Sequence, residues 1–133
     1  MRVLLDTNII VSALAFPGGK PEQIYDLLLA EQFEHVTCPE VLGEVTQVLT
    51  RKLQIDPRKV AAAVIPLGQI STVTSVGRVS RVVAADPDDD IVLAAAERAH
   101  AEVIVSGDQH RLALESWRKV QIQSAAAFLL GRE

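Results

Sequence analysis

Asp86-Pro87-Asp88-Asp89-Asp90, the run Ile91-Val92-Leu93-Ala94-Ala95-Ala96, and then Val103-Ile104-Val105-Ser106-Gly107-Asp108 form the stretch that decides how this chain folds. Four acids fall within its first five residues, and one more closes the apolar run at its end. Val92, Leu93, Ala96 and Ala99 recur at helical spacing, so a helix is predicted over 87–100, and its alanines permit close approach to a sheet. Residues 102–106 then read as a buried strand, with Gly107 and Asp108 turning out of it.

The start of the chain repeats the theme. Residues 2–6 form a short apolar strand that ends in Asp6, and Thr7 and Asn8 are expected to cap a helix through Ile9, Ile10, Val11 and Leu14. That helix stops at Phe16-Pro17-Gly18-Gly19. Pro21 opens a second helix, residues 33–37 read as a strand, and Pro39 starts a third helix on which Val41, Val45, Val48 and Leu49 form a stripe. Glu44 falls at the margin of that stripe, facing a boundary instead of open water.

Asp56 caps a further helix through Val60 and Val64, whose end Pro66 leaves undefined, and residues 70–76 read as a strand. Residues 79–85 fit either element, residues 120–122 a short strand, and Ser124 caps a last helix. Strands alternating with helices at this spacing predict an α/β sandwich with a mainly parallel central sheet. In such a sheet ligands bind at the carboxyl ends of the strands, where both Asp6 and Asp108 fall.

Composition narrows the class. With 133 residues, 49% of them hydrophobic, the chain is expected to form one domain over residues 1–133. Cys38 is alone and cannot form an internal disulfide, and Asp6 and Asn8 interrupt the apolar N-terminus, so the expected location is the cytoplasm. No apolar run reaches the length of a membrane span. The net charge of −4 does not advertise a nucleic-acid binder, although acids gathered at one site can mask a basic rim.

The acids carry the chemistry. Asp6 and Asp108 would meet at one sheet edge, Asp89 and Asp90 lie in the first turn of a helix pointing there, and Glu44 enters from another helix. Carboxylates converging without basic partners repel, and a hard divalent cation, Mg²⁺ or Mn²⁺, is the usual remedy. His35, His100 and His110 have no zinc spacing, which leaves zinc out. Such a centre can activate water against a phosphodiester.

Thr7, Asn8 and Ser106 adjoin the strand ends and can orient a carboxylate or a water. Arg51, Lys52, Arg111, Arg118 and Lys119 are candidates for phosphate contacts, against the simpler reading of a solvated face. Each acid also has an ordinary use: helix caps for Asp6 and the 86–90 cluster, a boundary position for Glu44, a turn for Asp108. What argues for a site is that all of them fall where a sheet would gather them.

Leu5-Asp6-Thr7-Asn8 leading to Ser12-Ala13-Leu14 and Pro17-Gly18-Gly19, then Pro39-Glu40-Val41-Leu42-Gly43-Glu44, Asp86-Pro87-Asp88-Asp89 and Val105-Ser106-Gly107-Asp108 resemble, in order and spacing, the PIN-domain family. The resemblance covers almost the whole chain and implies a PIN-like three-layer α/β/α sandwich. It further implies a metal-dependent nuclease, most often a ribonuclease, with an acidic quartet at Asp6, Glu44, Asp89 and Asp108. Similar VapC-like members are toxins that cleave RNA, are commonly homodimers, and are blocked by a small antitoxin protein.

Two positions depart from the pattern. Asp90 follows Asp89 and competes with it as third ligand: the closest subgroup's spacing, and its place toward the apolar helix face, favour Asp89, while more distant members would align Asp90. His110 stands where similar proteins often carry a second acid, which bears on whether one metal or two are held. A phosphatase of another acid-dependent α/β fold is disfavoured, because Asp6 is followed by Thr7 and Asn8 and not by a second aspartate two residues on. The remaining alternative is a catalytically weak or inactive PIN-like module that binds RNA or protein.

Overall fold

Val3, Leu4 and Leu5 lie beside Val103, Ile104 and Val105, all of them buried, as the two central strands of a sheet that has six strands among the described residues. The computed structural model of the chain describes residues 1–76 and 87–132, the side chains of 87–90 excepted. The 79–85 segment and Asp86 lie outside the described residues, as do the side chains of Asp88, Asp89 and Asp90.

In chain order the elements are β1 (Arg2–Leu5), α1 (Thr7–Ala15), α2 (Lys20–Leu29), β2 (Glu34–Thr37), α3 (Pro39–Gln47), a π-helical turn (Val48–Lys52) and α4 (Pro57–Ile70). Then come β3 (Thr72–Val73), α5 (Pro87–Arg98), β4 (Val103–Val105), α6 (Gln109–Leu112), β5 (Ser116–Trp117), β6 (Val120–Gln123) and α7 (Ala125–Leu130). The strand order is β3-β2-β1-β4-β6-β5, parallel throughout except for the β5–β6 hairpin. This is the α/β architecture with a mainly parallel sheet that the alternation predicts.

Order explains the layers. From β1 the chain steps outward to β2 and β3, then returns across the sheet to β4 on the other side of β1. Helix α1 packs against α2 and α3, and α3 against α4, while α5 lies against β2. On α5, Val92, Leu93, Ala95 and Ala96 are buried, as is Ala99 just past its end, and the small residues let the helix approach closely.

Two expectations change at the β3 edge. Helix α4 runs through Pro66 to Ile70, because buried Val60 and Leu67 lie two turns apart on one face and anchor both halves of the helix. Gly68 sits against Leu42 of α3, where an added Cβ would come 3.6 Å from its Cδ1. Ile70 is therefore helical, and β3 is only two residues long and exposed.

His35 fastens β2 beneath the site. The Ser71 hydroxyl donates to Leu67 O at 2.6 Å, so it accepts from His35 Nδ1 at 2.7 Å, which leaves Nε2 to accept the buried Leu5 amide at 3.3 Å. Burial holds the ring neutral, with its pKa lowered to about 3. At the far end, Phe33 and Phe128 pack edge to face at 5.7 Å and dock α7.

Candidate functional site

The ends of β1 and β4 adjoin at the point where strand order reverses, the place where parallel sheets open a crevice. Leu5 pairs with Val105, and the Asp6 amide continues that ladder by donating to Val105 O at 3.0 Å. Asp6, only 5% exposed, is also the N-cap of α1: its Oδ1 accepts the Thr7 amide at 2.8 Å. Thr7 and Asn8 are thus the first residues of the helix and not its caps, a correction of one position.

Both nonetheless touch the site's framework. Thr7 Oγ1 donates to Glu44 Oε2 at 3.2 Å, which joins the start of α1 to the boundary acid of α3. Asn8 Oδ1 accepts the Gly107 amide at 3.4 Å, and a Cβ on Gly107 would meet Asn8 Nδ2 at 3.0 Å, so a larger residue there would have to push the Asn8 side chain aside. Ser106 is fully buried; its hydroxyl donates to Asp6 Oδ2 at 2.6 Å and accepts the Asp108 amide at 3.0 Å.

Asp108 is half-buried and caps α6, its Oδ1 accepting the Arg111 amide at 3.0 Å. That short helix, absent from the sequence reading, turns Arg111 inward. Its guanidinium forms an ion pair with Asp6 through Nη1 and Oδ2. Arg111 is 3% exposed, and burial lowers its pKa to about 10, so it remains charged at neutral pH. The expectation of carboxylates without a basic partner is corrected here, as is the placing of Arg111 on an outer face. The available signal was spacing: Arg111 follows Asp108 by three residues, the position of the amide that an N-cap carboxylate receives.

Asp6, Glu44 and Asp108 line one open cleft of about 310 Å³, together with Thr7, Asn8, Arg111 and, at its mouth, exposed Lys52 from the π-helical turn. Val92 of α5 lines it as well. A neighbouring groove between α3 and α5 shares Glu44 and Val92 with it. Asp89 and Asp90 belong to the first turn of α5, but their side chains fall outside the described set.

The donors in this cleft are carboxylates and hydroxyls, the chemistry that suits a hard divalent cation. Among the described residues no three His, Cys, Asp or Glu side chains stand together as a finished cation cage. The set therefore fits a cation in composition, with Arg111 seated on one of its oxygens. Softer donors lie apart: His35 and Cys38 are buried, the thiol raised by burial to about 11, and His100 and His110 are exposed.

A parallel sheet with acids at its switch point defines an α/β protein with a polar crevice site, and comparison with known proteins names the family. The PIN domain model matches residues 2–110, and the chain belongs to the PIN domain family. It is 27% identical over 123 residues to the uncharacterized protein MJ1680 of Methanocaldococcus jannaschii, covering 90% of this chain and 78% of that protein. Among solved structures it shares its fold with VapC20 of Mycobacterium tuberculosis, a Sarcin-Ricin loop cleaving toxin, at a TM-score of 0.60 and 17% identity over 90% of this chain and 98% of that one.

Proposed function

We propose that the protein, a single PIN domain over residues 1–133, is a divalent-metal-dependent endoribonuclease and the toxin of a toxin–antitoxin pair. The observation that carries this reading is that Asp6, Glu44 and Asp108, far apart in sequence, line one cleft at the sheet's switch point. Membership of the PIN domain family and the RNA-cleaving activity in the name of VapC20 support the substrate class.

In this reading Asp6, Glu44 and Asp108 hold Mg²⁺ or Mn²⁺ with a fourth acid from α5. Asp89 is favoured over Asp90 by the spacing of the family resemblance, and it stands three residues before Val92, a residue that lines the cleft. When bound, the cation makes a water more acidic and offsets the charge that grows on the phosphate. Ser106 orients Asp6, Thr7 orients Glu44, and Lys52 at the mouth receives a phosphate of the RNA strand.

The working assembly in this reading is a cytoplasmic homodimer silenced by a small antitoxin protein. Among the described residues no helix is long and apolar enough to cross a membrane. A second reading, a PIN-like module that binds RNA or protein without cutting, draws support from Arg111 on Asp6. Purified protein incubated with structured RNAs separates the two: the nuclease cuts RNA with Mg²⁺ or Mn²⁺, stops on chelation and resumes on metal addition. Binding without cleavage under every metal condition would favour the module.

A further inference from the structure

Two of the acids assigned above to a cation are already engaged by one residue. Arg111 pairs with Asp6 Oδ2 through its guanidinium and bonds Asp108 Oδ1 at 3.0 Å through its amide. Both side chains of the ion pair are nearly buried, at 3% and 5% residue exposure. A carboxylate so placed needs a positive partner, and a guanidinium supplies one without being able to accept a hydrogen bond or give up its charge. A divalent cation at the same oxygen would face that charge at contact distance, where repulsion is strongest.

We propose that Arg111 is a built-in counter-cation: it neutralises Asp6 while the cleft is free of metal, and a divalent cation binds only as the guanidinium leaves that oxygen. Arg111 thereby sets the cation affinity of the site. The inference rests on reading the cleft as a cation site. Arg111 itself lines the open cleft beside Asp6 and Asp108, so the space into which the guanidinium would turn adjoins it. Asp108 would keep the backbone turn in place through its bond to the Arg111 amide.

Mn²⁺ binding by the full chain, followed by calorimetry and by Mn²⁺ electron paramagnetic resonance, tests this in wild type, Arg111→Leu and Arg111→Gln. The variants should bind Mn²⁺ about tenfold or more tightly than wild type, since a like charge beside the site is removed. Their melting temperatures should also rise more on Mn²⁺ addition. If the metal-free variants do not fold, wild type decides. Its Arg111 Nε–H resonance, identified by its loss in Arg111→Lys, should move toward that of an exposed arginine as Mg²⁺ is added. Equal or weaker Mn²⁺ affinity in the variants, or an Arg111 resonance unmoved at saturating Mg²⁺, overturns the proposal alone. Absence of Mn²⁺ binding in wild type and variants overturns it together with the cation reading.

Discussion

Ser106 donates its hydroxyl proton to Asp6 Oδ2 at 2.6 Å across the junction of β1 and β4, and Ser106 Oγ itself accepts the Asp108 amide at 3.0 Å. One buried hydroxyl thus fixes two acids that are 102 residues apart in the chain. Ser106→Ala removes one hydrogen bond from the buried Asp6 carboxylate, which keeps Arg111, and one from the partly buried Asp108 amide, at a cost of about 1–3 kcal/mol, which denaturant titration measures. Freed from its orienting bond, Asp6 should also lose roughly 10–100-fold in Mn²⁺ affinity by calorimetry. Unchanged stability and affinity would reduce Ser106 to space filling.

His35 makes stability depend on pH in a defined sense. Its pKa is about 3 in the folded chain against an ordinary 6.5, so the unfolded chain takes up the proton first as pH falls. The contribution of His35 is full above pH ~6.5 and is lost between that pH and ~3, by up to ~1.4 kcal/mol per unit. Urea midpoints at pH 7, 6 and 5 should fall more steeply in wild type than in His35→Gln. Parallel curves would contradict a neutral buried ring.

Much of this architecture is legible in the chain because it rests on short-range patterns. The apolar runs ending in Asp6 and Asp108 identify β1 and β4, and the parallel alternation brings both acids to one edge. Glu44 at the margin of a valine stripe is half-buried on α3, where its spacing put it. Where tertiary packing decides, the reading stops short. Pro66 leaves the end of α4 undefined by pattern, and the helix continues to Ile70 because Val60 and Leu67 hold both of its halves. The β5–β6 hairpin is two residues deep on its β5 side and turns through Arg118 at φ 55°, a conformation that no periodicity announces. Arg111 carries no mark of burial in its own side chain; its place follows from α6, and α6 follows from the Asp108 cap.

Lys52 should act on binding more than on chemistry. It is exposed at the mouth of the cleft, on the turn that follows the helix bearing Glu44. Lys52→Gln should raise KM for RNA several-fold with kcat nearly unchanged, and should lower the salt dependence of binding by about one phosphate contact. A fall in kcat with KM unchanged would place Lys52 at the chemistry instead.

The central claim is that the acids of this cleft cut RNA. Its most direct test is the rate of RNA cleavage in Mg²⁺ or Mn²⁺ by wild type beside Glu44→Gln and Asp6→Asn, with circular dichroism establishing that each is folded. Glu44 is half-buried and its amide replacement can keep the Thr7 hydrogen bond, so this variant separates chemistry from folding. Asp6→Asn breaks the buried ion pair with Arg111 and is expected to lose about 3–5 kcal/mol of stability as well. The account predicts cleavage by wild type and a loss of about 100-fold or more in folded Glu44→Gln and Asp6→Asn, the scale on which single electrostatic groups act in catalysis. Equal cleavage by all three proteins, or none by wild type with either metal, would contradict it.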